Sequence, residues 1–288
     1  MIPDRVRELL AEAERADGTP PVSDQALLAA DQGRRELFGS EDAVGILGEG
    51  ELDLVVRPSA RGAGRGGALL TEMLESQDRE GSGSELRAWA HGENPAAETL
   101  LTRAGFVPAR SLYRLALDPA RLPAAIAEAR ALPHGFVARA FDPTAPDEAE
   151  AWVRVNAAAF ASHPEQGAVT LQDFRALRQE PWFDPADLIL AFDTAAQDRL
   201  AGYTWVKTVR GDEEPETELY VLGVDPAYAG HGLGAALLGE TLRRMAEHDP
   251  ERITLYVDGD NAPARALYDR AGFTVDQRST QWLRAPQD

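Results

Sequence analysis

Residues 217–244 read TELYVLGVDPAYAGHGLGAALLGETLRR, and this stretch decides how the rest of the chain is interpreted. The apolar run Glu218–Val224 contains β-branched and aromatic residues, which predicts a buried strand. Asp225-Pro226 ends that strand, because proline removes a ladder donor and pushes its predecessor out of helical space. Glycines at alternate positions from Gly230 to Gly234 then open a run with helical spacing. Such glycines let backbone N–H groups approach a diphosphate, and the helix dipole adds positive potential there, so the stretch predicts an anion cradle.

A glycine-rich helix start is equally compatible with a plain tight turn, and its spacing is neither the dinucleotide fingerprint nor the ATP-binding loop. The downstream segment Ile253–Phe273, ITLYVDGDNAPARALYDRAGF, predicts a second strand and a short helix that carries Asn261 and Tyr268 and ends at Gly272. Together the two segments resemble the acetyl-CoA-binding half of the GNAT superfamily of N-acyltransferases. In that family the glycine loop and its helix hold the pyrophosphate, and the Asn…Tyr helix lies beside the thioester.

Composition limits the possible functions. The 288 residues, 44% hydrophobic and 27% charged, predict a globular protein long enough for two domains. No apolar run of about 18 residues exists and the N-terminus lacks a secretion signal, so we expect a cytoplasmic protein without a membrane span. The absence of cysteine excludes disulfides, thiolate metal sites and a cysteine nucleophile, and the five histidines show no paired spacing that predicts a metal. A net charge of −19 argues against a nucleic-acid partner.

The deciding stretch is repeated near the start of the chain. Glu51–Leu74 reads ELDLVVRPSARGAGRGGALLTEML, and its Val56–Pro58 lines up with Val224–Pro226, 168 positions later, with the loop glycines in register. Residues 86–106 align in the same way with residues 253–273 at an offset of 167. Two separate segments at nearly one offset establish a tandem repeat, a front copy and a rear copy.

The front copy keeps the loop glycines, and we expect it to lack the ionisable groups of the rear copy. The ungapped alignment sets Gly50 against Glu218, Trp89 against Tyr256, and Leu101 against Tyr268. The front copy is also short ahead of its loop, which predicts an incomplete module retained as scaffold or as a non-catalytic ligand site. Its loop still carries Arg61 and Arg65, which suit an anion.

The copies define the predicted domains: an N-terminal domain at 1–120, a linker at 121–134 with a brief helix at Ala124–Arg130, and a catalytic domain at 135–288. In the rear copy we predict a strand at Phe136–Ala140, helices at Asp147–Phe160 and from the N-cap Thr170 toward Glu180, and strands near Leu188–Phe192, Leu200–Val209 and Glu218–Val224. The resulting order, β-α-α-β-β-β-α-β-α-β, gives a mixed α/β sheet and is the GNAT order. The predicted fold is therefore two tandem GNAT-type domains, the N-terminal one shortened.

Amine acetylation requires that the thioester is held, its carbonyl is polarised, and a proton moves from the ammonium to the leaving thiolate. Glu218 is the candidate base, with an exposed residue closing an acidic loop as the alternative. Because a glutamate with a pKa near 4.3 is a poor base for an ammonium, burial or a water relay must assist it. Tyr268 is the candidate acid, with a packed helix aromatic as the alternative. Gly223 in mid-strand fits a β-bulge, a close ligand approach, or merely a weak strand position.

A closer resemblance, covering essentially the whole chain, is to the mycothiol synthase family of tandem GNAT proteins. It rests on Ala159-Phe160, on HPEQG at residues 163–167, on Trp205-Val206-Lys207, and on Glu218–Pro226. The resemblance implies transfer of acetyl from acetyl-CoA to the cysteinyl α-amine of cysteinyl-glucosaminyl-inositol, and we expect the enzyme to be a monomer. It further implies a substrate site lined by Asp24, Glu165, Lys207, Glu218 and Tyr256. Without it, Glu165 fits a turn cap, Lys207 a solvated strand residue, and Tyr256 a core residue.

The resemblance also implies acetyl-CoA contacts along both glycine loops, although the front site is not expected to be catalytic. The implied front residues are Leu54, Val55, Val56, Gly62, Ala63, Gly64, Arg65, Gly66 and Gly67. The implied rear residues are Leu222, Gly223, Val224, Ala229, Gly230, His231, Gly232, Leu233, Gly234, Ala235, Asn261, Ala262, Pro263, Ala264, Arg265 and Ala266. Two positions depart from the family pattern: Ala229 stands where the family has Gln or Arg, and Asp24 replaces a longer carboxylate.

Two other functions are compatible with the sequence. The chain could acetylate another small-molecule or peptide amine, although HPEQG and Lys207 argue against that. Alternatively, both copies could bind acyl-CoA without turnover, as a sensor or scaffold, and the retained Glu218 and Tyr268 argue against that.

Overall fold

The structure is a computed structural model that describes residues 2–79, 85–161, 166–210 and 215–286. The chain forms two compact units. The front unit comprises Met1–Tyr113, Asp258–Asp260 and Gln277–Asp288, and the rear unit comprises Arg114–Val257 and Asn261–Asp276. The predicted domain bounds of 1–120, 121–134 and 135–288 differ from these units and stay a prediction.

The front unit has the element order α-α-β-β-β-α-β-α-β, one strand shorter than the rear order in the described residues. Its elements are α1 (Asp4–Asp17), α2 (Asp24–Asp31), β1 (Glu36–Gly39), β2 (Ala43–Gly48), β3 (Glu51–Val56), α3 (Arg65–Arg79), β4 (Leu86–Ala90), α4 (Pro95–Arg103) and the start of β5 (Val107–Leu117). Strands β1, β2 and β3 pair antiparallel, and β3 pairs parallel with β4. Alternate residues of this sheet pack on its two sides, so that Val44, Ile46 and Val55 join a core with α1 and α2.

The rear unit begins with a short helix and then follows the predicted order. Its elements are α5 (Leu122–Ala127), β6 (Phe136–Ala140), α6 (Glu148–Ala159), α7 (Leu171–Leu177), β7 (Leu188–Asp193), β8 (Arg199–Val209), β9 (Glu216–Val224), α8 (Leu233–Glu247), β10 (Arg252–Asp258), α9 (Ala262–Arg270) and the start of β11 (Thr274–Arg284). Strands β6 to β9 pair antiparallel in sequence, and β9 pairs parallel with β10. Thr170 caps α7 in a capping box, as its sequence position predicts. The mixed α/β fold with the GNAT element order is confirmed.

The last strand belongs to the front unit at its C-terminal end. Residues Thr280–Arg284 of β11 pair antiparallel with Ala90–Leu86 of β4. Within this unit the hydroxyl of Ser279 accepts a hydrogen bond from the buried N–H of Gly92 at 3.0 Å. The carboxyl-terminal residues therefore complete the front sheet.

Helices α6 and α8 lie on opposite faces of the rear sheet. Trp152 of α6 packs against the rings of Tyr203 and Trp205, whereas the hydroxyl of Thr241 in α8 hydrogen-bonds that of Thr204 at 2.6 Å. Because side chains alternate along β8, the odd and even residues mark two distinct faces. We call the side covered by α6 the aromatic face and the side covered by α8 the helix-α8 face.

None of the helices in the described ranges is long and apolar enough to cross a membrane. The same residues contain no group of three or more His, Asp or Glu side chains placed to hold a metal ion.

Candidate active site

The rear glycine loop joins the end of β9 to the start of α8. After a 3-10 turn at Pro226–Tyr228, Gly230 and Gly232 both adopt φ of +80°, a conformation that residues with a Cβ rarely adopt. A Cβ at Gly230 would meet no atom within 4 Å, so the backbone conformation, rather than crowding, requires glycine there. The first N–H groups of α8 have no acceptor within the helix and point into this turn. The loop therefore has the glycine conformation and the open space at Gly230 that the predicted anion cradle requires.

The front loop has the same backbone. Gly62 and Gly64 adopt φ of +76° and +78°, and α3 begins at the next residue. Its two arginines lie in ion pairs with acidic side chains: Arg61 with Asp17 at 2.7 Å and Arg65 with Asp42 at 3.0 Å. The two arginines that the sequence assigned to an anion are thus each paired with a carboxylate of the front unit.

Strand β9 contains a β-bulge. Trp205 pairs with Val221 and Val206 pairs with Leu219, so Tyr220 is an extra residue on β9. The register shift lies at Tyr220, so of the three explanations open for Gly223 the β-bulge does not apply. A Cβ at Gly223 would lie 2.7 Å from Cε1 of Tyr203, so close packing against that ring explains the glycine.

The pairing of β9 with β10 stops at this bulge. The pairing described between them ends at Leu219 and Leu255, although β9 continues to Val224 and β10 to Asp258. Backbone N–H and C=O groups of Tyr220–Val224 that face β10 are therefore outside that ladder. A gap of this kind admits an extended ligand arm and offers its backbone donors to a carbonyl oxygen.

Three of the residues predicted to line the substrate site share the aromatic face beside the gap. Glu218 pairs across the sheet with Lys207 of β8 on one side and with Thr254 of β10 on the other. Tyr256, two residues further along β10, lies on the same face because side chains alternate. All three predicted side chains, Glu218, Lys207 and Tyr256, are half-buried.

Aromatic rings hold Lys207. Its Nζ lies 5.2 Å from the centre of the Trp182 ring and 5.6 Å from that of Tyr220. Cation–π contact of this kind attracts the ammonium group to the ring faces and fixes its position. Trp182 was not predicted from the sequence. It lies in the turn between α7 and β7, and no motif distinguishes it from a core residue.

Two residues of the HPEQG segment, Gln166 and Gly167, fall within the described ranges. His163, Pro164 and Glu165 lie outside the described residues, so the predicted contact from Glu165 has no structural description. Gln166 donates from Nε2 to Oδ1 of the fully buried Asn156 at 2.9 Å, and Asn156 donates from Nδ2 to the Gln166 carbonyl at 2.6 Å. These reciprocal bonds fix the end of the segment to α6.

Tyr203 completes this buried polar group. Its hydroxyl donates to Oδ1 of Asn156 at 2.6 Å, and burial raises the pKa of the phenol well above its ordinary value. The sequence reasoning did not identify Asn156 or Tyr203. The available signal was an asparagine on the apolar side of the amphipathic helix α6, since a buried amide needs partners.

Tyr268 lies on α9 and is buried, with 7% of its surface exposed. Its ring packs edge-on against Phe273 with centroids 6.0 Å apart. Burial raises the pKa of Tyr268 to about 12, so the phenol stays protonated at neutral pH. Asn261 caps the same helix by accepting a hydrogen bond from the N–H of Ala264 at 3.2 Å. The structure thus shows both a packed aromatic and a protonated hydroxyl.

The front unit retains a glutamate at the position of Glu218. Glu51 pairs with Arg87 of β4, and Arg87 aligns with Thr254, the partner of Glu218. The ungapped alignment of Glu218 with Gly50 is therefore wrong by one residue. The extra residue Tyr220 has no counterpart in the front unit, because β2 and β3 pair there without a shift in register.

Glu51 is buried in an ionic cluster. Arg35, itself buried, lies 2.8 Å from the Glu51 carboxylate, 3.6 Å from that of Asp53 and 3.3 Å from that of Glu49. Burial raises the pKa of Asp53 to about 7, against the opposing effect of Arg35. Gly48, which pairs with Glu51 as Lys207 pairs with Glu218, leaves room for Arg35: a Cβ there would lie 3.1 Å from Cγ of Arg35.

Asp24 is part of the front unit. It is the first residue of α2, which Ser23 caps by accepting a hydrogen bond from the N–H of Ala26. Its predicted role as a substrate contact stays a prediction.

The chain is similar in sequence to known acetyltransferases. The sequence model of the Acetyltransferase (GNAT) family matches residues 152–273. A mycothiol acetyltransferase of Kineococcus radiotolerans is 43% identical over 99% of this chain and 93% of its own length, and one of Clavibacter sepedonicus is 42% identical over 98% and 93%.

Solved structures agree in fold. A tandem GNAT protein from the clavulanic acid biosynthesis pathway superposes with a TM-score of 0.73 at 20% identity, covering 99% of this chain and 95% of its own. A GCN5-related N-acetyltransferase from Sphaerobacter thermophilus gives 0.67 at 22% identity, covering 100% and 98%. At these identities the likeness concerns the fold alone.

Proposed function

Because this chain belongs to the mycothiol acetyltransferase family of GNAT acetyltransferases, we propose that its rear unit transfers acetyl from acetyl-CoA to the cysteinyl α-amine of cysteinyl-glucosaminyl-inositol. The observation that carries the assignment of the active centre is the position of Glu218. It lies beside the point where β9 and β10 separate, on the face that also presents Lys207 and Tyr256. The front unit binds acetyl-CoA without catalysis in this proposal.

The rear unit fits acetyl-CoA in two respects. The turn at Gly230 is open, with no atom within 4 Å of a Cβ placed there, and the amino end of the 15-residue helix α8 adjoins it. A diphosphate there accepts hydrogen bonds from backbone N–H groups in the favourable field of the helix dipole. The gap beyond Leu219 and Leu255 receives the pantetheine arm, and the thioester it carries is the acetyl donor.

Polarisation of the thioester carbonyl falls to the backbone of β9 beyond the bulge. The N–H groups of β9 beyond Leu219 that face β10 are outside the ladder between these two strands, and in this proposal they donate into the gap. Donors fixed in this way need no reorganisation as negative charge develops on the carbonyl oxygen. This role needs the backbone rather than a particular side chain.

Glu218 removes the proton from the amine. An α-ammonium has a pKa of about 7.7–8.0, so only a modest proton affinity is required of the acceptor, and a bridging water supplies the reach. Lys207 and Tyr256, on either side of Glu218 on the aromatic face, offer an ammonium and a hydroxyl to the polyhydroxylated substrate. Asp24 and Glu165 are the remaining proposed substrate contacts.

Tyr268 donates to the sulfur of the departing thiolate. Burial keeps its phenol protonated across the neutral range, which a donor requires. Proton transfer from a phenol with a pKa near 12 to a thiolate is unfavourable, since a free thiol has a pKa of about 8.5. Tyr268 therefore acts mainly as a hydrogen-bond donor to the sulfur. The proton released when the amine becomes an amide is the one that protonates the thiolate in the overall reaction.

Release of the CoA thiol tests the proposal. Acetyl-CoA is supplied with cysteinyl-glucosaminyl-inositol, with the same compound lacking the cysteinyl amine, and with a panel of simple amines and peptide N-termini. We expect rapid release with the first acceptor alone. Release with a different amine would overturn the substrate assignment, and acetyl-CoA binding without release on any acceptor would favour a sensor. Cytoplasmic location and the monomeric state stay predictions.

A further inference from the structure

The rear loop lacks the basic side chains that the front loop carries. Arg61 aligns with Ala229 and Arg65 aligns with Leu233, so the rear cradle has only His231 as a basic residue of its own. The whole chain has a net charge of −19, and its general field therefore repels a diphosphate. A cationic side chain at the rear loop would offset that repulsion.

Arg130 reaches the rear loop from the segment between the two repeats. Its carbonyl oxygen lies 3.3 Å from the position of a Cβ at Gly239, and its Nη1 lies 2.6 Å from that of a Cβ at Gly232. Gly232 and Gly239 are about two helical turns apart, a distance of about 10 Å along α8. The arginine thus extends along α8 and ends at the residue that caps its amino end.

The guanidinium of Arg130 is available for a ligand. Its residue is exposed, and within the parts of the chain that the structure describes no hydrogen bond or ion pair engages its side chain. It also borders a cavity of about 320 Å³ whose walls include Leu238, Leu267 and Arg270. In the front loop, by contrast, each arginine forms an ion pair with a carboxylate.

We propose that Arg130 binds the diphosphate of acetyl-CoA at the rear loop and supplies the cation that the loop lacks at Ala229. A guanidinium makes paired, charge-assisted hydrogen bonds to phosphate oxygens, in addition to those from backbone N–H groups. The φ of +80° is what requires glycine at position 232, and the 2.6 Å from a Cβ there to Nη1 of Arg130 measures how closely the guanidinium approaches the loop. This inference rests on the proposed function, because it assumes that acetyl-CoA occupies the rear loop.

Hydrogen exchange measured by mass spectrometry tests it at each loop separately. The readout is the acetyl-CoA concentration that gives half-maximal protection of peptides covering residues 229–238 and, in the same sample, residues 61–70. For Arg130→Gln we expect about a tenfold increase at the rear peptide and no change at the front peptide. Arg130→Lys should recover most of the affinity. Arg154→Gln, which removes an exposed arginine of α6 on the opposite face of the sheet, is the matched control.

The possible failures are distinguishable. If acetyl-CoA does not protect the rear peptide in the wild-type protein, the proposed function fails. If it protects wild type and Arg130→Gln at the same concentration, the inference about Arg130 is wrong and the proposed function stands.

A donor without a diphosphate separates phosphate binding from an effect on the loop. With S-acetyl-pantetheine, Arg130→Gln and wild type should release thiol at equal rates. An equal loss with both donors would show that Arg130 shapes the loop rather than binds phosphate, and would overturn the proposal.

Discussion

The front and rear units place different charges on nearly the same backbone. Both loops use two glycines with φ between +76° and +80°, and both lead into helices of 15 residues. In the front loop Asp17 neutralises Arg61, whereas in the rear loop Arg130 points at the loop from outside it. The glycines therefore fix the shape of the cradle, and residues far away in sequence determine its charge.

The two equivalent glutamates differ in the same way. Glu51 and Glu218 occupy matching positions in their sheets, each next to a cation. In the front unit that cation, Arg35, is buried with three carboxylates around it, whereas in the rear unit Lys207 and Glu218 are half-buried. A carboxylate enclosed in an ionic cluster is a poor base, because its charge is already matched by hydrogen bonds. The front unit therefore retains the glutamate but holds its carboxylate in a buried ion pair.

The largest expected effect comes from exchanging these glutamates for glutamine one at a time. Glu218→Gln removes the proton acceptor and should lower turnover by about 10²- to 10⁴-fold, the usual contribution of general base catalysis. Glu51→Gln should leave turnover unchanged, because Glu51 pairs with Arg35 inside the front unit and takes no part in the proposed reaction. Steady-state CoA release with saturating substrates measures both variants.

Binding provides the control for this pair. Half-maximal protection of the rear peptide by acetyl-CoA should be the same in Glu218→Gln and wild type. Undiminished turnover in Glu218→Gln would remove Glu218 from the base role, and a loss in Glu51→Gln would show that the front unit takes part in catalysis.

The sequence predicted what local patterns determine. Turn glycines, proline breaks and hydrophobic period specify the strands and helices of the rear unit, and the strand Phe136–Ala140 has the predicted bounds. Internal similarity specified the repeat and both loops. These features depend on residues close together in sequence, so one chain suffices to read them.

The remaining features depend on tertiary structure. A single extra residue, Tyr220, shifts the register of β9, and an ungapped alignment cannot reveal it because the adjacent loop still matches. The partners Arg35 and Asn156 come from other elements, so no local spacing identifies them. Gly223 shows the same limit: the sequence left three explanations open for this glycine, and only the packing shows that the ring of Tyr203 occupies the space of a side chain.

The second largest effect should follow from removing the buried cation of the front unit. Arg35→Met leaves Glu51 and Asp53 buried without a partner, which should lower the free energy of unfolding by about 3–5 kcal/mol. Denaturant titration, followed by hydrogen exchange of β2 and β3, locates the loss in the front unit.

An exposed ion pair and a repair variant complete this comparison. Arg61→Met disrupts a pair whose arginine is 40% exposed, and it should cost at most about 1 kcal/mol. Adding Glu51→Gln and Asp53→Asn to Arg35→Met should restore much of the stability. A loss in Arg35→Met no larger than in Arg61→Met would contradict the buried-cluster interpretation.

A smaller effect concerns pH. The pKa of Asp53 is raised to about 7 in the folded chain from its ordinary value of 3.8, so the folded state binds its proton more tightly than the unfolded state. The contribution of Asp53 to stability is therefore fully present below about pH 4 and decreases as pH rises to 7. From pH 5 to pH 7, about two pH units at about 1.4 kcal/mol each, we expect a decrease of about 3 kcal/mol in the front unit. Denaturant midpoints at pH 5 and pH 8 should differ more in wild type than in Asp53→Asn, and identical differences would refute the raised pKa.

The smallest expected effect comes from making the front loop more like the rear one. Asp17→Asn removes the negative charge that pairs with Arg61 at 2.7 Å and leaves the guanidinium able to contact an anion in the cradle. Since an exposed ion pair is worth about 0.2–1 kcal/mol, acetyl-CoA should protect residues 61–70 at a concentration about two- to fivefold lower than in wild type. Protection of residues 229–238 should not change, because the substitution is in the front unit. Unchanged front protection would show that Asp17 does not limit the loop, and no protection of residues 61–70 in wild type would refute the predicted front acetyl-CoA site itself.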